Sequence, residues 1–154
     1  MSEHEVRVIK AEEMLSLLER ARDERGSDFV YPPHRTDGPA CLYVRDDARF
    51  PGRTWADSIS DHGPACIVGL ALSYIDDGRL VPVLEEWQFD CKSNDGNSSV
   101  RNINDALSGA GVRLTARAGE VALGAQLKQD GGAPWGLAVA EAERWASFEP
   151  YPDD

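Results

Sequence analysis

The chain has 154 residues, 42% of them hydrophobic and 28% charged, which is enough apolar surface for one compact core and too much for global disorder. Twenty-seven acids against sixteen bases leave a formal charge of −11, which opposes broad contact with phosphate backbones. No apolar run approaches the roughly 18 residues that a membrane helix needs. The opening Met1-Ser2-Glu3-His4-Glu5 lacks the basic-then-apolar layout of a secretory signal. The expectation is a single cytoplasmic domain with a short flexible N-terminus and an acidic C-terminal tail, binding neither nucleic acid nor membrane. Three cysteines cannot all pair, and a reducing compartment keeps them as thiols.

In chain order, Met14, Leu15, Leu18 and Ala21 recur at helical spacing. Glu12 and Glu13 sit where the helix dipole favours acids, and Gly26 marks the end. The arginines Arg20, Arg22 and Arg25 are interleaved with Glu19, Asp23 and Glu24, a pattern that reads as a solvated face with local ion pairs. Phe29-Val30-Tyr31 ahead of Pro32 is extended. Cys41-Leu42-Tyr43-Val44 predicts a short strand, and Arg53-Thr54-Trp55, beyond a Pro51-Gly52 turn, can return beside it as a small β-hairpin. Residues 64–75 are apolar almost all round, and Pro64 suits the first position of a helix because its missing N–H would be unpaired there. This segment is the expected central buried helix.

Residues 80–84 alternate weakly and are interrupted by Pro82, and residues 90–99 are polar and turn-rich. Ser99 can cap a helix through Val100, Ile103, Asn104 and Leu107 that closes at Gly109. Thr115 caps the next helix, with Ala118, Val121, Ala122 and Ala125 as a narrow apolar stripe, and Asp130-Gly131-Gly132 ends it. Pro134 then opens a helix with Trp135, Ala138, Val139, Ala142 and Trp145 on one side. Residues 115–146 thus form a C-terminal helical hairpin. The fold class is mainly α, with about five helices around the central one.

Gly-Pro-Ala-Cys occurs twice, at residues 38–41 and 63–66, and both copies feed candidate chemistry. Cys66 in the first turn of a helix is placed for thiolate stabilisation, with His62 or His34 as a base, which would suit a hydrolase or transferase. The plainer reading makes Cys66 a small apolar core residue among Ile67, Leu70 and Leu72. His34, Cys41, His62 and Cys66 are acceptable zinc ligands in type, but their spacing departs from the close pairs of zinc modules. No cofactor loop is present: Gly109-Ala110-Gly111 and Gly131-Gly132 fit helix ends. The most acidic stretch, residues 76–95, holds two aromatics in Glu85-Glu86-Trp87-Gln88-Phe89-Asp90. Glu85, Glu86, Trp87, Phe89 and Asp90 therefore form the candidate binding surface for a protein partner, a basic one on charge grounds. An acidic face could also mimic DNA toward a nucleic-acid-binding protein.

Cys41-Leu42-Tyr43-Val44, Gly63-Pro64-Ala65-Cys66-Ile67-Val68-Gly69, Leu114-Thr115, Ala125-Gln126, Gln129-Asp130-Gly131, Trp135-Gly136 and Ala138-Val139 together resemble a loose group of small uncharacterised proteins from actinobacteria and their phages. The resemblance covers residues 41–142 through short motifs. It implies a small intracellular accessory or regulatory protein of a phage or bacterium and brings no established activity with it. The expected function is non-enzymatic, through protein–protein interaction, with no cofactor.

Overall fold

A computed structural model describes residues 6–30, 66–84, 86–87, 103–147 and 152–154. The order of elements is β1 (Arg7–Ile9), α1 (Ala11–Arg25), α2 (Ile67–Ser73), α3 (Ile103–Leu107), β2 (Val112–Leu114), α4 (Ala116–Asp130) and α5 (Trp135–Ala146). One-turn 3-10 segments lie at Ile75–Gly78 and Ser108–Ala110, and residues 81–84 are helical. The protein is mainly α, with a C-terminal helical pair, as expected.

The expected β-hairpin falls on other residues than the small sheet of the structure, so the two cannot be compared. Residues 41–44 and 53–55 lie outside the described residues. The sheet that is described is parallel, with Arg7 opposite Val112, Val8 opposite Arg113 and Ile9 opposite Leu114. The Arg7 N–H donates to Gly111 O at 2.8 Å, and the Thr115 N–H donates to Ile9 O at 3.0 Å. Across the sheet, the Asn104 side chain mimics a third strand. Its Oδ1 accepts from the Leu114 N–H and its Nδ2 donates to Leu114 O. Parallel strands need long crossovers, so this pairing joins distant parts of the chain and carries no local turn signal. A single residue separates each strand from its helix, Lys10 before α1 and Thr115 before α4. Both helices therefore start at the same edge of the sheet.

Helix α1 buries Ala11, Met14, Leu18 and Ala21, the face that the periodicity marks, and its chain leaves through Gly26. Helix α2 is buried from Ile67 through Leu72, as a central helix should be, but it starts at Ile67. The expected start at Pro64 is displaced because Cys66, in extended backbone at φ −87° and ψ 173°, serves as the N-cap. Residues 81–84 turn out helical despite Pro82, and the Leu84 N–H donates to Leu80 O at 2.9 Å. Proline is tolerated there because the first turn of a helix has no internal acceptor for that N–H.

Helices α4 and α5 pack against each other along small residues. A Cβ on Gly124 would lie 2.6 Å from Trp145 Cδ1, so the missing side chain is what lets the indole lie on α4. The Trp145 Nε1–H donates to Glu141 Oε2 at 3.1 Å. Trp135 is fully buried with its ring edge-to-face against Phe29, centroids 4.7 Å apart. The start of α5 is seated on the segment after α1: the Trp135 N–H donates to Phe29 O and the Gly136 N–H to Ser27 O. One continuous apolar cluster contains residues of α1, α2, α3, β2, α4 and α5.

Candidate functional site

The start of α2 carries the thiol that the sequence singles out. Cys66 Sγ accepts from the Gly69 N–H at 3.5 Å, and the Ile67 N–H donates to Gln129 Oε1 at 2.7 Å. A sulfur placed at a helix start does meet first-turn amides, but here the site is closed. Cys66 has no exposed surface, and Gln129 is 1% exposed. Gln129 comes from α4, so a buried side-chain oxygen replaces the water that would otherwise satisfy the Ile67 amide. Cys66 is thus a packed core residue with a capping sulfur. His34, Cys41 and His62, named as its base or as metal ligands, lie outside the described residues. Among the described residues no three His, Cys, Asp or Glu side chains converge on a common point, and no helix is long and apolar enough to cross a membrane.

The acidic stretch begins in unusual backbone. Asp76 (φ 49°), Asp77 (φ 55°) and Gly78 (φ 86°) follow one another in the left-handed region. Aspartate tolerates that conformation better than most residues, and glycine adopts it freely. Ile75 is buried ahead of the turn, while Asp76 and Asp77 are exposed. Asp76 Oδ2 accepts from Arg79 at 3.0 Å, and Arg79 Nη1 reaches Ala110 O at 2.8 Å. Asp76 is therefore locally neutralised and tied to the segment before β2. Further on, Leu80 and Leu84 are fully buried and fix the short helix to the core. That places Glu86 in solvent and Trp87 half-buried against the core. Two of the five candidate binding residues are thus adjacent on the surface side of one anchored segment. Glu85, Phe89 and Asp90 lie outside the described residues.

The arginines of α1 differ from the expected solvated face. Arg22 pairs with Asp23 at 2.9 Å, as local ion pairing requires. Arg20, however, lies over the Tyr74 ring at 3.9 Å, and Arg25 lies 5.4 Å from the Phe29 ring and 5.7 Å from that of Trp135. The Tyr74 hydroxyl donates to Glu24 Oε1 at 2.5 Å. Burial, then this hydrogen bond and the Glu24 charge, push the phenol well above its usual range, so it stays neutral. Cation–π contacts thus tie α1 to the end of α2 and to the start of α5.

Sequence reasoning missed a second polar junction. Asp153 Oδ1 accepts from the Ala11 N–H at 2.8 Å and from Thr115 Oγ1 at 2.7 Å, and the Arg117 N–H donates to Pro152 O at 2.9 Å. Thr115 Oγ1 also accepts from the Ala118 N–H at 3.0 Å, the cap that the sequence does predict. Burial opposes ionisation of Asp153, yet the Ala11 and Thr115 hydrogen bonds, followed by the Arg117 and Lys10 charges, outweigh it and hold the carboxyl below its ordinary range.

Fold and junctions together define a mainly α protein in which two strand–helix units pair through a parallel two-stranded sheet. No family model matches the chain, and neither a curated protein nor a solved structure matches it.

Proposed function

We propose that this protein works by binding another protein, through the acidic stretch of residues 76–95, and carries out no covalent chemistry of its own. One observation carries the reading. Cys66, the nucleophile candidate among the described residues, has no exposed surface, and its sulfur accepts a backbone amide. A thiol must reach its substrate as an exposed thiolate, and this one is walled in by core side chains.

The segment around Glu86 and Trp87 has the opposite character. Glu86 is exposed and Trp87 half-exposed at the end of a segment anchored by Leu80 and Leu84, in a chain with eleven more acids than bases. A tryptophan flanked by carboxylates supplies apolar contact together with charge selection, which suits a basic partner. The resemblance to small actinobacterial and phage proteins gives the setting, a cytoplasmic accessory or regulatory role.

Two measurements test this. Thiol labelling of the folded protein, mapped by mass spectrometry, should leave Cys66 unmodified until denaturant is added. Modification at the rate of a free cysteine would restore the enzyme reading. A Glu86→Lys variant, altering an exposed side chain, should remain folded at the temperature of the assay and lose a partner captured by the wild-type protein. Retention of every such partner by both Glu86→Lys and Trp87→Ala removes this surface from consideration.

A further inference from the structure

The junction at Asp153 has a geometry that none of its parts requires alone. Ala11 is the first residue of α1, so its N–H has no acceptor within the helix, and the preceding Lys10 makes no side-chain cap. Helix starts leave such amides open, and a nearby carboxylate satisfies both the hydrogen bond and the positive end of the dipole. Here that carboxylate comes from residue 153, and the same oxygen takes the hydroxyl proton of Thr115, which is 1% exposed at the start of α4. Because β1 and β2 are parallel and each runs into its helix after one residue, the two starts lie side by side and one oxygen reaches both. Pro152 O adds a third tie by accepting from the Arg117 N–H in the first turn of α4.

We propose that residues 152–153 form a latch: the Asp153 carboxylate joins the two strand–helix units at their shared edge, and the β1–α1 unit stays seated on β2–α4 while that charge is in place. The charged groups around this carboxylate are Lys10, ahead of α1, and Arg117, on α4, both of which favour the ionised form. The nearest acids on α1 are Glu12 and Glu13, and Glu13 is itself paired with Arg7. The ionised carboxylate holds the latch closed through the neutral range. Loss of the charge, or displacement of the segment, opens it. β1 makes only a three-residue pairing, whereas Met14, Leu18 and Ala21 hold α1 in the core, so β1 and the first turn of α1 are the part that loosens.

Amide hydrogen exchange at neutral pH tests this on the full chain. Asp153→Ala should speed exchange at Ala11, at Arg117 and through β1 by about tenfold or more, since hydrogen bonds to charged groups are among the stronger ones. Amides in the middle of α5 should keep their wild-type rates. Asp153→Asn retains an acceptor oxygen and removes only the charge, so it remains informative if the alanine variant fails to fold. It should give a smaller increase at the same positions. Thr115→Ser, which keeps the hydroxyl, should match the wild type. An even increase across all helices would make Asp153 an ordinary stability contact, and unchanged exchange at Ala11 and Arg117 in both Asp153 variants would mean that no latch exists. Either result overturns the proposal.

Discussion

Helices α1 and α4 start at the same edge of the same sheet, and the open amides of their first turns find acceptors in different places. Helix α4 is capped by its own Thr115, whose hydroxyl accepts from the Ala118 N–H three residues on. Helix α1 follows Lys10, whose side chain makes no cap, and its first amide, the Ala11 N–H, is satisfied by Asp153 from the far end of the described chain. The starts of α2 and α5 fall between these extremes. Cys66 caps α2 locally through Gly69, while Gln129 of α4 takes the Ile67 amide. Pro134 has no side chain to cap α5, and the Phe29 and Ser27 carbonyls do it instead. A local cap stabilises one helix. A cap supplied from a distance stabilises the helix and also fixes where two elements meet, so its loss should be felt in tertiary structure as well.

The difference is sharpest at Gln129. Replacement by Leu keeps the volume but leaves the Ile67 N–H unsatisfied in a buried site, a cost of about 2–3 kcal/mol. For a chain of this size that corresponds to a melting temperature lower by roughly 5–10 °C. A thermal melt checks it, and a shift near zero would mean that the amide finds another acceptor. Thr115→Val tests the local cap. It removes the acceptor for Ala118 and the donor to Asp153 together, for about 1–2 kcal/mol, while Thr115→Ser should restore nearly all of it. Equal destabilisation by Val and Ser would point to packing of the Thr methyl group as the source.

The same contrast separates what the sequence reveals from what it hides. The α1 face of Met14, Leu18 and Ala21, the Thr115 cap and the stripe of α4 are legible because each is written within a few residues at a helical period. The start of α2 is misplaced at Pro64 because the proline rule is local. The observed start depends on Gln129, which no pattern near residue 66 announces. The parallel sheet escapes for the same reason, since three residues at Arg7–Ile9 are too few for a period and their partners lie in β2. Arg20 and Arg25 look solvated because the acids beside them are in sequence, whereas Tyr74 and Trp135, the rings they cover, are not. At the candidate surface, acidity and the aromatic are plain in the sequence. That Glu86 points to solvent while Trp87 is half-covered follows from Leu80 and Leu84, and only the fold supplies that.

The smallest expected effect comes from acid, and its sign follows from the ties at Asp153. The Ala11 N–H and the Thr115 hydroxyl bond the ionised carboxylate, so its pKa in the folded protein lies below the unfolded value of about 3.9. A group shifted in that direction stabilises the fold fully above the unfolded value, and the stabilisation fades as pH falls through the folded value. Between pH 5 and 8, therefore, Asp153 should contribute no slope to stability, and its contribution should begin to fade only below about pH 4. The measurement is a pair of urea midpoints for wild type and Asp153→Asn as a function of pH: a constant gap through neutrality that narrows in acid. Other carboxylates titrate in the same acid range and shift both proteins alike, so the gap isolates this one group. Because the side chain is partly open to water, the gap should be smaller than the loss at Gln129, where the capping oxygen is buried. A gap that stayed constant down to pH 2 would show that the Asn variant differs by shape and that charge has no part in holding the α1 start.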